Sequence, residues 1–314
     1  MSGLPMTVPA PGLPARVRIH EVGARDGLQN EATTVPTAVK AEFVHRLAAA
    51  GLTTIEATSF VHPKWVPQLA DAEQLFPLLA DVRAALPVLV PNERGLDRAL
   101  DLGATRIAVF GSATETFAAR NLNRTVAESL AMFEPVVARA KASAERPVHV
   151  RGYLSMCFGD PWEGPVPVRQ VVSVARALLD LGCDELSLGD TIGVATPGHV
   201  QELLAALNGA GIATDRIGVH FHDTYGQALS NTLAALQCGV TTVDASAGGL
   251  GGCPYAKSAT GNLATEDLVW MLDGLGIETG VDLAALTATS VWMAEQLGRP
   301  SPSRTVRALS HKEQ

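Results

Sequence analysis

The chain has 314 residues, of which 47% are hydrophobic and 18% are charged, and its formal net charge is −8. This length and composition allow a large buried core and argue against extended disorder. An acidic balance gives no general attraction to nucleic acid or to an anionic membrane surface, so we expect neither as a partner.

The cysteine content and the chain ends bear on compartment and domain organisation. Four cysteines occur without a CxxC pair: Cys157, Cys183, Cys238 and Cys253. A chain of this size without a disulfide pattern is predicted to lie in a reducing cytoplasm. Residues 1–15 lack the features of a signal or transit peptide and are predicted to form a flexible arm. We expect a single domain over residues 16–300, a polar surface tail over 301–314, and no membrane-spanning segment.

Short runs of β-branched residues alternate with helical patterns along the chain. Eight runs are predicted to be strands: Val17–Val22, Thr53–Ala57, Val88–Val90, Arg106–Phe110, Val148–Leu154, Glu185–Leu188, Ile217–Phe221 and Thr241–Ala245. Helical periodicity predicts helices at Ala38–Ala50, Leu69–Ala84, Gly95–Leu102, Val126–Ala142, Val168–Leu181, Pro197–Gly209, Tyr225–Cys238, Leu263–Leu275 and Val281–Leu297. Eight alternations predict a (β/α)8 TIM barrel with extra C-terminal helices. An open doubly wound sheet is the alternative, but the segment Gly23–Gly27 does not fit its GxGxxG loop.

Polar residues follow several predicted strands, where the active site of a barrel lies. Arg25 comes just after the first strand, and its permanently charged guanidinium suits stabilisation of an enolate oxygen. The alternative for Arg25 is a salt bridge with Glu21 or Glu56. Glu56 and Asp190, after the second and sixth strands, are expected to orient Arg25, a metal ligand or a substrate hydroxyl, or to form structural ion pairs.

The spacing of His220 and His222 indicates a metal site. Residues two apart on a strand point to the same side, so both imidazoles face the barrel axis. Asp26 and Asn262 lie at neighbouring strand ends and complete a mixed nitrogen and oxygen set. Such a set suits Mg²⁺ or Mn²⁺ better than a structural zinc. The alternatives are a loop-capping role for Asp26, a helix N-cap role for Asn262 and ordinary histidines.

Cys253 lies in the segment 248–255, which holds four glycines in five residues. Such a segment predicts a mobile or tightly bent loop that can bring a thiol to a substrate. The thiol could then donate or accept a proton. An incidental small residue is the alternative.

Five segments resemble the hydroxymethylglutaryl-CoA lyase family, and together they span nearly the whole chain. They are EVGARDGLQNE at Glu21–Glu31, IEATSFVHPKWVPQLAD at Ile55–Asp71, SLGDTIGVATPG at Ser187–Gly198, VHFHDTYGQALSNTLAALQ at Val219–Gln237 and GLGGCPYAKSATGNLATEDLVWMLDGLGIETGVDL at Gly249–Leu283. The RD and HxH motifs are shared with isopropylmalate synthases and related aldolases. RDGLQNE and GLGGCPYA with ATGNLATEDL are much more specific.

The resemblance implies a barrel that cleaves 3-hydroxy-3-methylglutaryl-CoA to acetyl-CoA and acetoacetate with Mg²⁺ or Mn²⁺, as in leucine degradation and ketone body chemistry. It implies four metal ligands: Asp26, His220, His222 and Asn262. It implies further site residues at Arg25, Glu56, Asp190, Cys253 and Glu266, and we expect Gln29 and Thr191 to bind substrate. The chain departs from the family at Ala24, at Asp160 and in AKSATGN. These departures bear on acyl specificity more than on the reaction class.

The expected reaction leaves several alternatives open. Arg25 would stabilise the acetyl-CoA enolate and Cys253 would protonate it, while the base is Asp26, Glu56, Asp190 or a hydroxide on the metal. A lyase for a longer 3-hydroxy-3-alkylglutaryl-CoA is one rival. A Claisen-type synthase of the same fold is another, although extra C-terminal length would be expected for it. The third is an inactive scaffold, which retention of every ligand opposes. We expect an acyl-CoA partner and a homodimer or higher homo-oligomer.

Overall fold

A ring of eight parallel strands forms the centre of the protein. The computed structural model describes residues 4–142, 148–252 and 261–310. The strands are β1 Arg18–Glu21, β2 Thr58–Ser59, β3 Val88–Leu89, β4 Arg106–Ser112, β5 His149–Ser155, β6 Glu185–Asp190, β7 Ile217–Phe221 and β8 Thr242–Ala245. Each strand pairs with the next from β2 to β8, and β8 pairs with β1. A parallel bridge between Glu21 and Ile55 joins β1 to the segment before β2 and closes the ring.

Helices follow the strands and cover the outside of the ring. They are α1 Thr37–Ala49, α2 Ala72–Leu75, α3 Glu93–Asp101, α4 Glu115–Leu122, α5 Val126–Ala142, α6 Val168–Asp180, α7 Pro197–Gly209, α8 Ala228–Gln237, α9 Thr265–Gly274, α10 Leu283–Leu297 and α11 Arg304–Ser310. The (β/α)8 barrel with extra C-terminal helices is therefore confirmed. Within the described residues, no helix is long and apolar enough to cross a membrane.

The second βα unit differs from its prediction. The segment 69–84 was expected to be one long helix, but α2 has four residues and lies between two 3-10 turns, Pro67–Leu69 and Phe76–Leu79. Pro77 has no backbone N–H to donate, and its ring disfavours a continuous α-helix at this point. The second strand is also shorter and later than predicted, because only single bridges join Thr54 and Ile55 to their neighbours.

The C-terminal segment is more ordered than a polar surface tail. Residues 304–310 form α11, and Val306 is only 2% exposed. The carboxylate of Asp267 on α9 accepts hydrogen bonds from Ser303 Oγ at 2.8 Å and from Thr305 N at 2.7 Å. A buried carboxylate that holds the start of the helix explains why this polar sequence docks on the barrel.

The N-terminal segment is attached more loosely. Val8 N donates to Gly274 O at 2.8 Å, and Thr7 Oγ1 donates to Asp273 O at 3.1 Å. The side chains of Leu4, Met6 and Val8 are exposed. The predicted boundaries of arm, barrel domain and tail at residues 15 and 300 stay a prediction.

Candidate active site

A cavity of about 920 Å³ opens at the C-terminal ends of the strands. Its wall includes six of the residues that the sequence singled out: Arg25, Asp26, Gln29, Thr191, His220 and His222. The strand ends therefore bring together groups that are up to about 200 positions apart in sequence, as a closed barrel requires.

Arg25 and Asp26 lie on one π-helical turn, Gly23–Gly27, that follows β1. The guanidinium of Arg25 reaches two carboxylates, with Nη1 2.8 Å from Asp26 Oδ1 and Nη2 2.8 Å from Glu56 Oε2. The salt bridge considered as an alternative for Arg25 is thus present with Glu56. It leaves Arg25 in the cavity wall, held in one orientation by two anions.

Glu56 supports Arg25 from behind the wall. Its side chain is fully buried, and Oε2 also accepts the hydroxyl of Tyr153 at 2.9 Å. Burial raises the pKa of Glu56, and the adjacent Arg25 partly offsets that effect. The predicted orienting role of Glu56 toward Arg25 agrees with this geometry.

Asp26, His220 and His222 form a group that can hold a metal ion, because one ligand atom from each lies within 4.8 Å of the others. Asn262 Nδ2 donates to Asp26 Oδ2 at 2.9 Å and to Leu250 O at 3.0 Å. Among the residues that the structure describes, Asn262 Oδ1 and His222 Nδ1 are buried and have no hydrogen-bond partner. Unpaired buried acceptors are costly, and a cation at this position would satisfy such an oxygen. The residues therefore fit a divalent metal.

The charges of this group also favour a cation. Burial alone would raise the pKa of Asp26, but Arg25 and His220 bring it below its usual value. Burial and the nearby His220 lower the pKa of His222 to about 4. Near neutral pH the group thus offers a carboxylate and a neutral imidazole, which are the forms that bind metals.

The glycine-rich segment positions Asn262. Gly251 has a φ of +101°, and a Cβ there would lie 2.6 Å from Asn262 Nδ2. Only glycine allows this close approach. Asn262 is not the N-cap of α9, which begins at Thr265, so the helix-capping alternative is wrong. Cys253 lies outside the described residues.

Asp190 ends β6 and Thr191 follows it, but only Thr191 lines the cavity. The two oxygens of Asp190 accept backbone N–H groups from Val194 at 2.9 Å and Ala195 at 3.0 Å. Burial raises the pKa of Asp190 to about 6. Asp190 therefore fixes the loop before α7, and among the described residues it contacts neither Arg25 nor a cationic partner. Its expected role toward a metal ligand or a substrate hydroxyl stays a prediction. Thr191 Oγ1 accepts Met156 N at 2.9 Å.

Glu266 contacts Gly248, at the start of the glycine-rich segment, and is not part of the cavity wall. It is fully buried, and its carboxylate accepts Gly248 N at 2.8 Å and the hydroxyl of Ser290. Burial raises its pKa to about 8. Its contacts are with the base of the loop rather than with the cavity.

Asp160 also lies outside the cavity wall. Its carboxylate accepts Thr114 Oγ1 at 2.6 Å and the backbone N–H groups of Trp162 and Glu163 at 2.7 and 2.9 Å. It thus shapes the short hairpin formed by Gly159–Asp160 and Gly164–Pro165. Asp160, one of the positions at which the chain departs from the family pattern, therefore does not contact the space available to an acyl group.

A polar layer at the floor of the cavity and below it was not predicted. Its members come from four strands, and all but Arg18 are buried: Arg18, His20, Arg151, Tyr153, Glu185, Ser187 and Asp244. Arg151 donates to Glu185 Oε1 at 2.8 Å and to His20 Nδ1 at 3.0 Å, and it also contacts Asp244. The sequence contains a pattern that indicates this layer, because polar residues recur at every second position of strands that are otherwise apolar.

Fold and site together define a (β/α)8 barrel protein with a candidate divalent metal centre at the mouth of the barrel. The chain belongs to the HMGL-like family, whose model matches residues 16–292.

Curated relatives cover nearly all of this chain. It is 51% identical to hydroxymethylglutaryl-CoA lyase, mitochondrial, of Arabidopsis thaliana over 96% of this chain and 64% of that protein. It is 50% identical to the mitochondrial enzyme of Rattus norvegicus over 94% of this chain and 90% of that protein. The 3-hydroxy-3-methylglutaryl-CoA lyase, cytoplasmic, of Rattus norvegicus is 47% identical over 95% of this chain and 86% of that protein.

Solved structures share the fold. Hydroxymethylglutaryl-CoA lyase from Pseudomonas aeruginosa superposes with a TM-score of 0.91 at 46% identity, over 95% of this chain and 98% of that one. An HMG-CoA lyase from Acinetobacter baumannii in complex with coenzyme A and 3-methylmalate gives a TM-score of 0.89 at 35% identity, over 98% and 99%.

Proposed function

We propose that the chain is a divalent-metal-dependent lyase that cleaves 3-hydroxy-3-methylglutaryl-CoA to acetyl-CoA and acetoacetate. The observation that carries the proposal is the fixed guanidinium of Arg25 beside Asp26, His220 and His222 in one cavity. Relatives about half identical over most of the chain are named for this substrate, which supports the same acyl group here.

The metal in this proposal is Mg²⁺ or Mn²⁺. Asp26, His220, His222 and Asn262 Oδ1 would hold it, and a set of oxygen and imidazole donors suits these ions. When bound, such an ion supplies Lewis acidity toward the 3-hydroxyl and the distal carboxylate of the substrate.

Arg25 stabilises the charge that develops when the carbon–carbon bond breaks. Its guanidinium is fixed by Asp26 and Glu56, so little reorganisation is needed when the enolate oxygen of the acetyl-CoA fragment becomes negative. Of the carboxylates considered as bases, Asp26 lines the cavity, while Glu56 and Asp190 lie outside its wall. Glu56 then acts through Arg25 and Asp190 through its loop.

Cys253 is proposed to protonate the enolate carbon. A retro-Claisen cleavage needs no acyl-enzyme, so the thiol acts as an acid and not as a nucleophile. Cys253→Ser should retain Mn²⁺ binding and lose most turnover, because a hydroxyl is a much weaker acid than a thiol. An acyl adduct on Cys253, found by weighing the protein trapped with substrate, would refute the acid role.

The rest of the cavity suits the CoA portion of the substrate. Gln29 and Thr191 lie in its wall near the strand ends, and we propose that they contact the acyl part. Toward the rim the wall includes Arg120, Arg124 and the largely exposed Trp65. Two guanidinium groups and an aromatic ring match the phosphates and the adenine of coenzyme A.

The test is release of acetyl-CoA from a panel of 3-hydroxyacyl-CoA esters that includes longer 3-alkyl homologues. We expect highest kcat/KM for the 3-methyl ester, loss of activity on chelation, and recovery with Mg²⁺ or Mn²⁺. His222→Ala should weaken Mn²⁺ binding without unfolding the barrel, because the residue lies at a strand end. Full turnover after exhaustive chelation would contradict the metal mechanism, and preference for a longer ester would change the substrate.

We further propose a cytoplasmic location and a homodimeric or higher oligomeric state. Cysteine usage supports the first, although relatives include both cytoplasmic and mitochondrial proteins. Cell fractionation and light scattering of the purified protein check these two statements, and a monomer in solution would contradict the second.

A further inference from the structure

Asp244 on β8 lies directly below the candidate metal group. In the parallel register Asp244 is paired with His220 on β7 on one side and with His20 on β1 on the other. Its side chain is completely buried. Register and burial together place this carboxylate inside the barrel, next to the imidazole of His220.

The two oxygens of Asp244 have different partners. Oδ1 accepts from Arg151 Nη2, whereas Oδ2 accepts Ser187 Oγ at 2.7 Å and lies 3.3 Å from His220 Nδ1. Burial alone would raise the pKa of Asp244, but Arg151 and the contact with His220 bring it well below its usual value. The group is therefore a carboxylate, which can only accept hydrogen bonds.

This contact decides which nitrogen of His220 is free. Since the carboxylate is an acceptor, Nδ1 must carry a proton to make the hydrogen bond, and a neutral imidazole then has its lone pair on Nε2. We propose that Asp244 is a positioning residue that fixes His220 in the Nδ1–H tautomer and directs Nε2 toward the cation held with Asp26 and His222. The inference rests on the metal site of the proposed function.

If Asp244 served only as a counter-ion of Arg151, its contact with His220 would not be explained. Arg151 already has a second carboxylate, because Nη1 lies 2.8 Å from Glu185 Oε1. The oxygen of Asp244 nearest His220 is the one that Arg151 does not contact. Gly218, two residues before His220, leaves room for the arrangement, since a Cβ there would lie 2.8 Å from Arg151 Nη2.

Carboxylate–histidine–metal arrangements fix the imidazole tautomer, and their loss typically lowers metal affinity 10- to 100-fold. Asp244→Asn keeps the shape and an oxygen for Arg151, but its amide N–H₂ would face Nδ1 and favour the opposite tautomer of His220. We expect the Mn²⁺ dissociation constant, measured by equilibrium dialysis on the full chain, to rise about 10- to 100-fold. Glu185→Gln is the matched control, because it removes a carboxylate from Arg151 without touching His220.

Glu185→Gln should leave the Mn²⁺ dissociation constant within about twofold of the parent, whereas Asp244→Asn should not. Equal affinities for Asp244→Asn and parent, or equal weakening in both variants, would overturn the inference while leaving the metal site intact. A parent that binds no Mn²⁺ would contradict the metal site and this inference with it.

A second measurement does not depend on a variant that folds. The ¹⁵N resonances of His220 in the metal-free parent, at alkaline pH where the imidazole is neutral, report which nitrogen carries the proton. A proton on Nδ1 supports the inference, and a proton on Nε2 refutes it.

Discussion

At the scale of single residues, the position of Arg25 depends on two carboxylates, one adjacent to it in the chain and one distant from it. Asp26 is its neighbour in the chain, whereas Glu56 comes from the next βα unit. Tyr153, from β5, lies under the guanidinium, with 5.4 Å between Arg25 Cζ and the ring centre, and donates to Glu56. A guanidinium held by two carboxylates and one aromatic ring is oriented before substrate arrives.

Replacement of Arg25 by Met tests whether this orientation serves catalysis. Loss of charge stabilisation at the enolate oxygen should lower kcat by about 10²- to 10³-fold, with the Mn²⁺ dissociation constant little changed. Arg25→Lys keeps the charge but not the planar fork that spans Asp26 and Glu56, so it should restore only a small part of the rate. Near-normal kcat in Arg25→Met would reduce Arg25 to a structural ion-pair partner of Glu56.

The residues of the candidate site could be predicted only where a polar motif follows the end of a predicted strand. Asp26, His220 and His222 follow strand-end motifs and converge as expected. The contacts of Asp190 could not be predicted, because the tight turn after β6 brings backbone N–H groups to its carboxylate, which depends on loop geometry and not on residue type. Asp244 was missed because it lies within a strand, below the mouth where polar residues were sought.

At the scale of the elements, most predicted strands and helices lie within three residues of their observed bounds, and the second βα unit is the exception. The β-branched runs of the strands are short and buried on both faces, which limits where each strand can lie. Interruptions within a helical pattern are harder to predict, as Pro77 in the 3-10 turn after α2 illustrates. Helix α11 could not be predicted from its own sequence, because its start is fixed by a side chain on α9.

Helix α11 gives a prediction about stability. Asp267→Ala would remove the acceptor for Ser303 Oγ and Thr305 N and leave buried donors unpaired. We expect a loss of about 1–3 kcal/mol in the free energy of unfolding, measured with urea, and faster hydrogen exchange in α11. Asp273→Ala, on the same helix, removes the same charge away from α11 and serves as control. Equal stability of the two variants would contradict the capping role.

At the scale of the whole molecule, buried acids under the glycine-rich segment couple stability to pH. Glu21 accepts Gly23 N, Ala247 N and Thr265 Oγ1, and burial raises its pKa to about 7. Glu266 has a pKa raised to about 8, mainly by burial and further by Glu21. Both groups hold protons in the folded protein that the unfolded chain would release at lower pH.

The direction in which stability changes with pH follows from proton binding. A group whose pKa is raised on folding binds more protons when folded, so its stabilisation is complete below the unfolded pKa near 4.5 and is lost as pH rises through the folded value. His20 and His222, with pKa values lowered to about 3 and 4, act in the opposite sense, but only below about pH 6.5. Between about pH 6.5 and 8, the metal-free protein should therefore lose stability as pH rises.

Glu266→Gln isolates the contribution of Glu266, because the amide oxygen can still accept Gly248 N but the side chain no longer titrates. Thermal unfolding with a chelator present should show Tm falling from about pH 6.5 to 8 in the parent, with a loss on the order of 1–2 kcal/mol from this group. The slope should be shallower in the variant, where Glu21 and His220 still titrate. Parallel curves for parent and variant would mean that Glu266 keeps one protonation state over this range, and a rising Tm would contradict the sign.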